Sequence, residues 1–179
     1  MADKKKHYVD NKKFLADMIE FRDSVIKAQE NGEKRPSVPV DVAKCILEIA
    51  THLSYRPNFI NYTYRDEMVS DAIENCLLYI DNFNPDKSKN PFSYFTTISY
   101  YAFLRRIAKE KKYLYTKYKA TENANLFGEI SDTQEHDSGA NFNDNIKYNE
   151  YSEENIAEFI ENFEKNLRRP VKKRIVRED

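Results

Sequence analysis

The chain has 179 residues, with 29 Lys and Arg against 30 Asp and Glu, three Gly, no Trp and two Cys. That length suits one compact domain plus a tail, and so few glycines beside abundant Lys, Glu, Asn and Ile point to an all-α protein. Cys45 and Cys76 fall at apolar positions of helical patterns and form no C-x-x-C pair, which argues against a disulfide framework or a zinc site; no apolar run nears the roughly 18 residues of a membrane span, and MADKKKHY is no signal peptide.

A first helix is predicted from Asn11 to about Gln29, with Phe14, Leu15, Met18, Ile19, Arg22, Val25 and Ile26 at 3,4-spacing. ENGEKRPSVP breaks it through Gly32, Pro36 and Pro39. The second helix, Asp41 to about His52, gathers Val42, Cys45, Ile46, Ile49, Ala50 and Leu53 on one face, and YRPNFINYT ends it. The third, Arg65 to Phe83, carries the clearest apolar stripe: Met68, Val69, Ala72, Ile73, Cys76, Leu77, Ile80 and Phe83. NFNPDKSKNP is a loop rich in turn residues, after which Asn90 can cap a helix over 91–112 with Pro91 in its first turn.

The near-zero net charge hides segregation. Residues 105–119 carry Arg105, Arg106, Lys109, Lys111, Lys112, Lys117 and Lys119 against Glu110 alone, residues 120–164 hold twelve acids and only Lys147, and the last fifteen turn basic again. Past Lys119 the periodicity fades and polarity rises, the signature of an acidic linker over 119–151. An amphipathic helix over 152–167 then places Ile156, Phe159, Ile160 and Phe163 at i, i+3, i+4, i+7, ahead of the basic tail RRPVKKRIVRED. The predicted organisation is therefore 1–118, 119–151 and 152–179.

Two helices carry candidate binding faces. On the helix over 91–112, Tyr100, Phe103, Leu104 and Ile107 gather on one side, suited to a core; Tyr94, Ile98, Tyr101, Arg105, Lys109 and Lys112 gather on the other. That second set mixes π-faces with cations, a combination that suits unpaired bases stacking beside a phosphate track. The third helix turns Glu67, Asp71, Glu74, Leu78 and Asp81 outward, with Ser70 and Asn75 beside them. Carboxylates at i, i+4 also occur in di-metal bundles, but those want Glu-x-x-His pairs, and His7, His52 and His136 lie away from this stripe. With no Gly-rich phosphate loop and no nucleophile–base neighbourhood, neither an enzyme nor a metal or other cofactor is expected. An acidic face followed by an aromatic and basic one suits an adaptor with two partners.

The string DEMVSDAIENCLLYIDNFNPDKSKNPFSYFTTISYYAFLRRI, residues 66–106, resembles conserved region 2 of bacterial sigma factors. There an acidic helix ending in an Asp-x-Phe turn precedes a Phe-Ser-aromatic helix; the matches are Asp81, Asn82 and Phe83, then Phe92 and Ser93. Together with YVDNKKFL and RRIAKEKK, residues 8–118 look most like the small late-gene sigma factors of T-even-type bacteriophages. The resemblance implies a compact region-2-like helical bundle and a transcription initiation factor that joins host core RNA polymerase and directs it to phage late promoters. It would act in the cytoplasm of the infected host, as a monomer before joining polymerase, helped by a sliding clamp and without membrane contact.

By that resemblance Glu67, Ser70, Asp71 and Asn75 would meet the clamp helices of the polymerase β′ subunit, and geometry adds Glu74, Leu78 and Asp81 to the face. Phe95 and Ile98 fall where cellular sigma factors hold the unpaired adenine of the minus-ten element, and Arg105 falls near its upstream edge; Arg106 belongs to the same basic run. Because the loop before Phe92 is one residue longer than in cellular sigma factors, Tyr94 and Phe95 can exchange roles. Ile98 and Ser99 replace a tryptophan pair, which implies weaker unaided melting. Late sigma factors end in a hydrophobic and acidic clamp-binding motif, which PVKKRIVRED does not match; the nearest chemistry is Ile156, Phe159, Ile160 and Phe163, the clamp-binding candidates, with a helix packing back on the domain as the equal alternative. The alternative is a helical interaction module that inhibits polymerase by mimicking a sigma surface.

Overall fold

The computed structural model describes residues 8–123 and 153–168. They are helical without a strand: α1 (Asn11–Glu30), α2 (Val40–Ser54), α3 (Arg65–Leu78), a 3₁₀ turn (Ile80–Asn82), α4 (Pro91–Asn123) and α5 (Glu153–Arg168). The chain divides into two compact units, Met1–Ala108 and Lys109–Asp179.

Local chemistry sets the helix ends. The Asp10 carboxylate accepts from the Lys12 and Lys13 amides at 2.9 and 3.3 Å, capping α1. α1 stops where Gly32 takes φ 69°, a left-handed turn in which the Glu33 amide reaches back to the Ala28 carbonyl at 2.8 Å. At the start of α4 the Asn90 side chain accepts from the Ser93 amide at 3.0 Å, the predicted cap. Asn11 Oδ1 also accepts from the Phe92 amide at 3.2 Å, tying the starts of α1 and α4 together.

Two predicted boundaries move. The third helix gives way after Leu78 to the 3₁₀ turn, where the Asn82 amide bonds to the Tyr79 carbonyl and the Phe83 amide to the Ile80 carbonyl. The tighter i→i+3 winding brings Ile80 and Phe83, 2% and 3% exposed, into the same core as Cys76 before the chain extends into the loop. The fourth helix does not end at 112 but continues to Asn123, because its next three turns acquire an apolar partner in α5. Residues 119–123 are thus helical, while the rest of the predicted linker and the basic tail after Arg168 lie outside the described residues.

The first unit has two adjoining cores. One joins Phe14, Met18, Phe21 and Val25 of α1 to Val42, Ile46 and Ile49 of α2, with Cys76, Ile80, Phe83 and Phe95. The other joins Ala50 and Leu53 of α2, Phe59, Met68 and Ala72 to Ala102, Phe103 and Ile107 of α4. Where α3 meets α4 the side chains are small: Ala72 and Cys76 on one helix, Ser99 and Ala102 on the other, all at most 1% exposed. Cys76 Sγ lies 3.5 Å from Ser99 Oγ, and the Ser99 hydroxyl donates to the Phe95 carbonyl at 2.9 Å, so neither buried polar group is unsatisfied. Burial pushes the Cys76 thiol up to about 11, so it behaves as a small apolar side chain at neutral pH.

In the second unit, residues 109–123 of α4 pack against α5. Tyr118, Ile156 and Ile160 are buried, flanked by Leu114, Tyr115 and Phe159.

Candidate binding surface on helices three and four

Around the small side chains of the α3–α4 crossing, arginines of α4 reach polar groups of α3. Arg106 donates from Nε and Nη2 to the two Asp71 carboxylate oxygens at 2.6 and 2.7 Å, a bidentate pair whose side chains are only 17% and 28% exposed. One turn along α3, Arg105 Nη2 donates to Asn75 Oδ1 at 2.6 Å, while Asn75 Nδ2 donates to the Asp71 carbonyl at 2.6 Å. These bonds fix the rotation of α4 relative to α3.

They engage three of the candidate residues, Arg106, Asp71 and Asn75. Arg106, expected among the DNA contacts, turns inward to Asp71. Asp71, expected to meet the polymerase, already has both carboxylate oxygens occupied, so Glu67, Ser70 and Glu74 are the exposed polar members of that face. Asp81 is likewise engaged: Arg35 Nη2 donates to both its oxygens at 2.9 Å, and the Arg35 guanidinium sits 5.7 Å from the Phe21 ring centroid. Asn75 is half-buried and spends its amide on the seam. What fills the remaining outward surface is apolar. Leu78 is 69% exposed and Tyr79 46%, at the end of α3.

On α4 the buried stripe runs through Pro91, Phe95, Ser99, Ala102, Phe103 and Ile107 rather than through Tyr100 and Leu104, which are exposed. Helical periodicity alone favours the bulkier pair; the close approach of α3 selects the stripe containing Ser99 and Ala102. The shift decides between Tyr94 and Phe95. Phe95 is 0% exposed, with its ring 5.5 Å from Phe14 and 6.4 Å from Phe83, so it does not offer the surface that its expected contact with a base needs. Tyr94 is half-buried at the rim; its ring lies 5.3 Å from Phe83, its hydroxyl donates to the Tyr79 carbonyl at 2.9 Å, and burial raises its phenol pKa. Ile98 is half-buried, while Tyr101 and Arg105 are exposed on the same side. Lys109 and Lys112 are exposed in the second unit.

Of the four clamp-binding candidates, two are buried and two half-buried in this structure. Ile156 and Ile160 are buried against α4, Phe159 meets Tyr118 edge-on at 5.5 Å, and Phe163 stacks on Tyr115 at 4.5 Å. The Tyr115 hydroxyl donates to Glu164 at 3.0 Å. A helix of 16 residues is marginal by itself, so α5 owes its order to this apolar contact. Ile160→Ala, removing about 2–4 kcal/mol of packing, is expected to abolish amide protection across 155–168 in hydrogen-exchange mass spectrometry while residues 11–107 keep theirs. Retained protection there would show that the contact with α4 does not order α5.

The acidic face and Leu78 within it could be found from periodicity, but Tyr79 could not, because it falls on neither the outward stripe nor the apolar one. Nor does the sequence mark which carboxylates are already paired. No protein-family model matches the chain, and no curated protein does.

Proposed function

We propose that this protein is a sigma-type transcription initiation factor of the phage late class, binding core RNA polymerase through α3 and a minus-ten-like promoter element through α4. The reading rests on the region-2 resemblance over residues 66–106 and on one structural observation. The bidentate Asp71–Arg106 pair holds an outward acidic and apolar face, Glu67, Ser70, Glu74 and Leu78, beside a helix with Tyr101 and Arg105 exposed and Tyr94 and Ile98 half-buried at their rim. A factor that joins a protein to an opening DNA strand needs two faces held in fixed relation, since slack between them would be lost as binding entropy. Capture of the opened strand is assigned to Tyr94 and Tyr101, with Ile98 beside them and the phosphates met by Arg105, Lys109 and Lys112.

The test is run-off transcription from an AT-rich minus-ten-like promoter with core polymerase, with and without a sliding clamp. Wild type is expected to support initiation; neutralising Arg105, Lys109 and Lys112 is expected to weaken promoter complexes and lower their salt dependence, while core polymerase is still bound. An inhibitor that mimics a sigma surface would instead keep its action after the same substitutions. Failure to bind core polymerase at all sinks both readings.

A further inference from the structure

The connection between α2 and α3, residues 55–64, is YRPNFINYTY. It contains three tyrosines and, with Arg65, two arginines and no carboxylate, a composition unlike the mixed-charge surface of α1. The connection is pinned. Phe59, 3% exposed, plugs the second core, and the amides of Phe59 and Ile60 both bond to the Arg56 carbonyl, at 2.8 and 3.0 Å. Around that plug the rim is tyrosine: Tyr62 and Tyr64 pack against the core with their rings 5.2 Å apart, and Tyr100 of α4 meets the Phe59 ring edge-on at 5.7 Å. Tyr55 is 53% exposed and carries the Arg65 guanidinium over its ring at 4.6 Å. Arg56 is exposed beside it.

This rim is continuous with the surface already assigned to DNA. The Tyr100 ring touches the Tyr101 ring at 5.9 Å, and Tyr101 lies one turn before Arg105. Aromatic faces with arginines between them, on a connection whose flanking carboxylate, Asp66, lies 4.0 Å from Arg65 at the start of α3, suit an unpaired nucleic-acid strand: bases stack on rings or guanidinium planes, and phosphates find the cations of Arg56 and Arg65. The geometry points to the 55–65 connection as a second contact site for single-stranded DNA, with Tyr55, Arg56, Arg65 and Tyr100 as its contact groups. The strand emerging from α4 continues across Tyr100 onto this rim. The assignment rests on the reading of α4 as a nucleic-acid face and lengthens the track that face provides.

The experiment uses the full chain without polymerase and a fluorescein-labelled oligothymidylate of twenty nucleotides, followed by anisotropy at low salt. Tyr55→Ala with Arg56→Ala, both at exposed positions, is expected to weaken binding about tenfold and to reduce the salt slope by about 0.7. Circular dichroism melts monitor folding, and Tyr55→Phe with Arg56→Lys is expected to restore most of the affinity. Unchanged binding by the alanine pair, with Tyr101→Ala and Arg105→Ala still weakening it, overturns this site and leaves the α4 reading standing. If those α4 substitutions are silent too, or the wild type does not bind the oligonucleotide, both fall. Normal oligonucleotide binding together with lost capture of core polymerase by the alanine pair identifies the rim as a protein contact instead.

Discussion

Phe95→Ala and Tyr94→Ala, adjacent truncations on one helix, are expected to have opposite phenotypes. Phe95 is completely buried between α1 and the 3₁₀ turn, touching Phe14 and Phe83. Its loss removes a full aromatic side chain and leaves a cavity that rigid helices cannot close, costing about 3–5 kcal/mol, or a fall in melting temperature on the order of 10 °C or more. Tyr94 packs on Phe83 from the rim and gives its hydroxyl to Tyr79, so Tyr94→Ala is expected to cost only about 1–2 kcal/mol. On the proposed reading its effect belongs to promoter opening. With core polymerase, 2-aminopurine fluorescence at the minus-ten element is expected to show opening reduced at least tenfold, while Tyr94→Phe keeps most of it because the ring face remains. A wild-type melt for Phe95→Ala would contradict its burial. Full opening by Tyr94→Ala would remove Tyr94 from strand capture.

Charge reversal on α3 separates two roles that the sequence presents as one. Glu74 is exposed, so Glu74→Lys is expected to change stability by no more than about 0.5 kcal/mol and yet to abolish capture of core polymerase. Asp71→Lys places a cation against Arg106 in the seam. It is expected to cost about 2–4 kcal/mol, somewhat less than breaking a fully buried pair because both side chains keep some water. A double-mutant cycle with Asp71→Ala and Arg106→Ala is expected to show coupling of about 1–3 kcal/mol, whereas Glu74 and Arg106 should behave additively. Polymerase binding by Glu74→Lys at the wild-type level would mean that α3 does not form that contact.

Much of the fold was legible because long amphipathic stretches announce themselves. The stripes of α1 and α2, the Asn90 cap and the helix bearing Ile156, Phe159, Ile160 and Phe163 all follow from spacing and cap chemistry. What spacing cannot show is which of two adjacent stripes a neighbour will cover. Tyr100 and Leu104 are bulkier than Ser99 and Ala102, yet the latter pair is buried because α3 brings Ala72 and Cys76 against it. The same blindness affected Asp71, Arg106 and Asp81: a charge at an outward-leaning position reads as a docking group until its partner, distant in sequence, is seen beside it. The length of α4 was missed for a related reason, since its last turns depend on a helix some thirty residues further along the chain.

The smallness of the α3–α4 seam also bears on the order in which the molecule assembles. Only twelve residues separate Leu78 from Pro91, so bringing the two helices together costs little loop-closure entropy. No long side chain must find its slot across Ala72, Cys76, Ser99 and Ala102, and the contact spans little sequence, which favours early formation. The docking of α1 is different, because Phe14 must meet Phe95 across some eighty residues of chain. Substitutions in the seam should therefore slow folding, whereas truncations on α1 should mainly speed unfolding. The element that holds the two proposed faces in register would then be the folding nucleus as well.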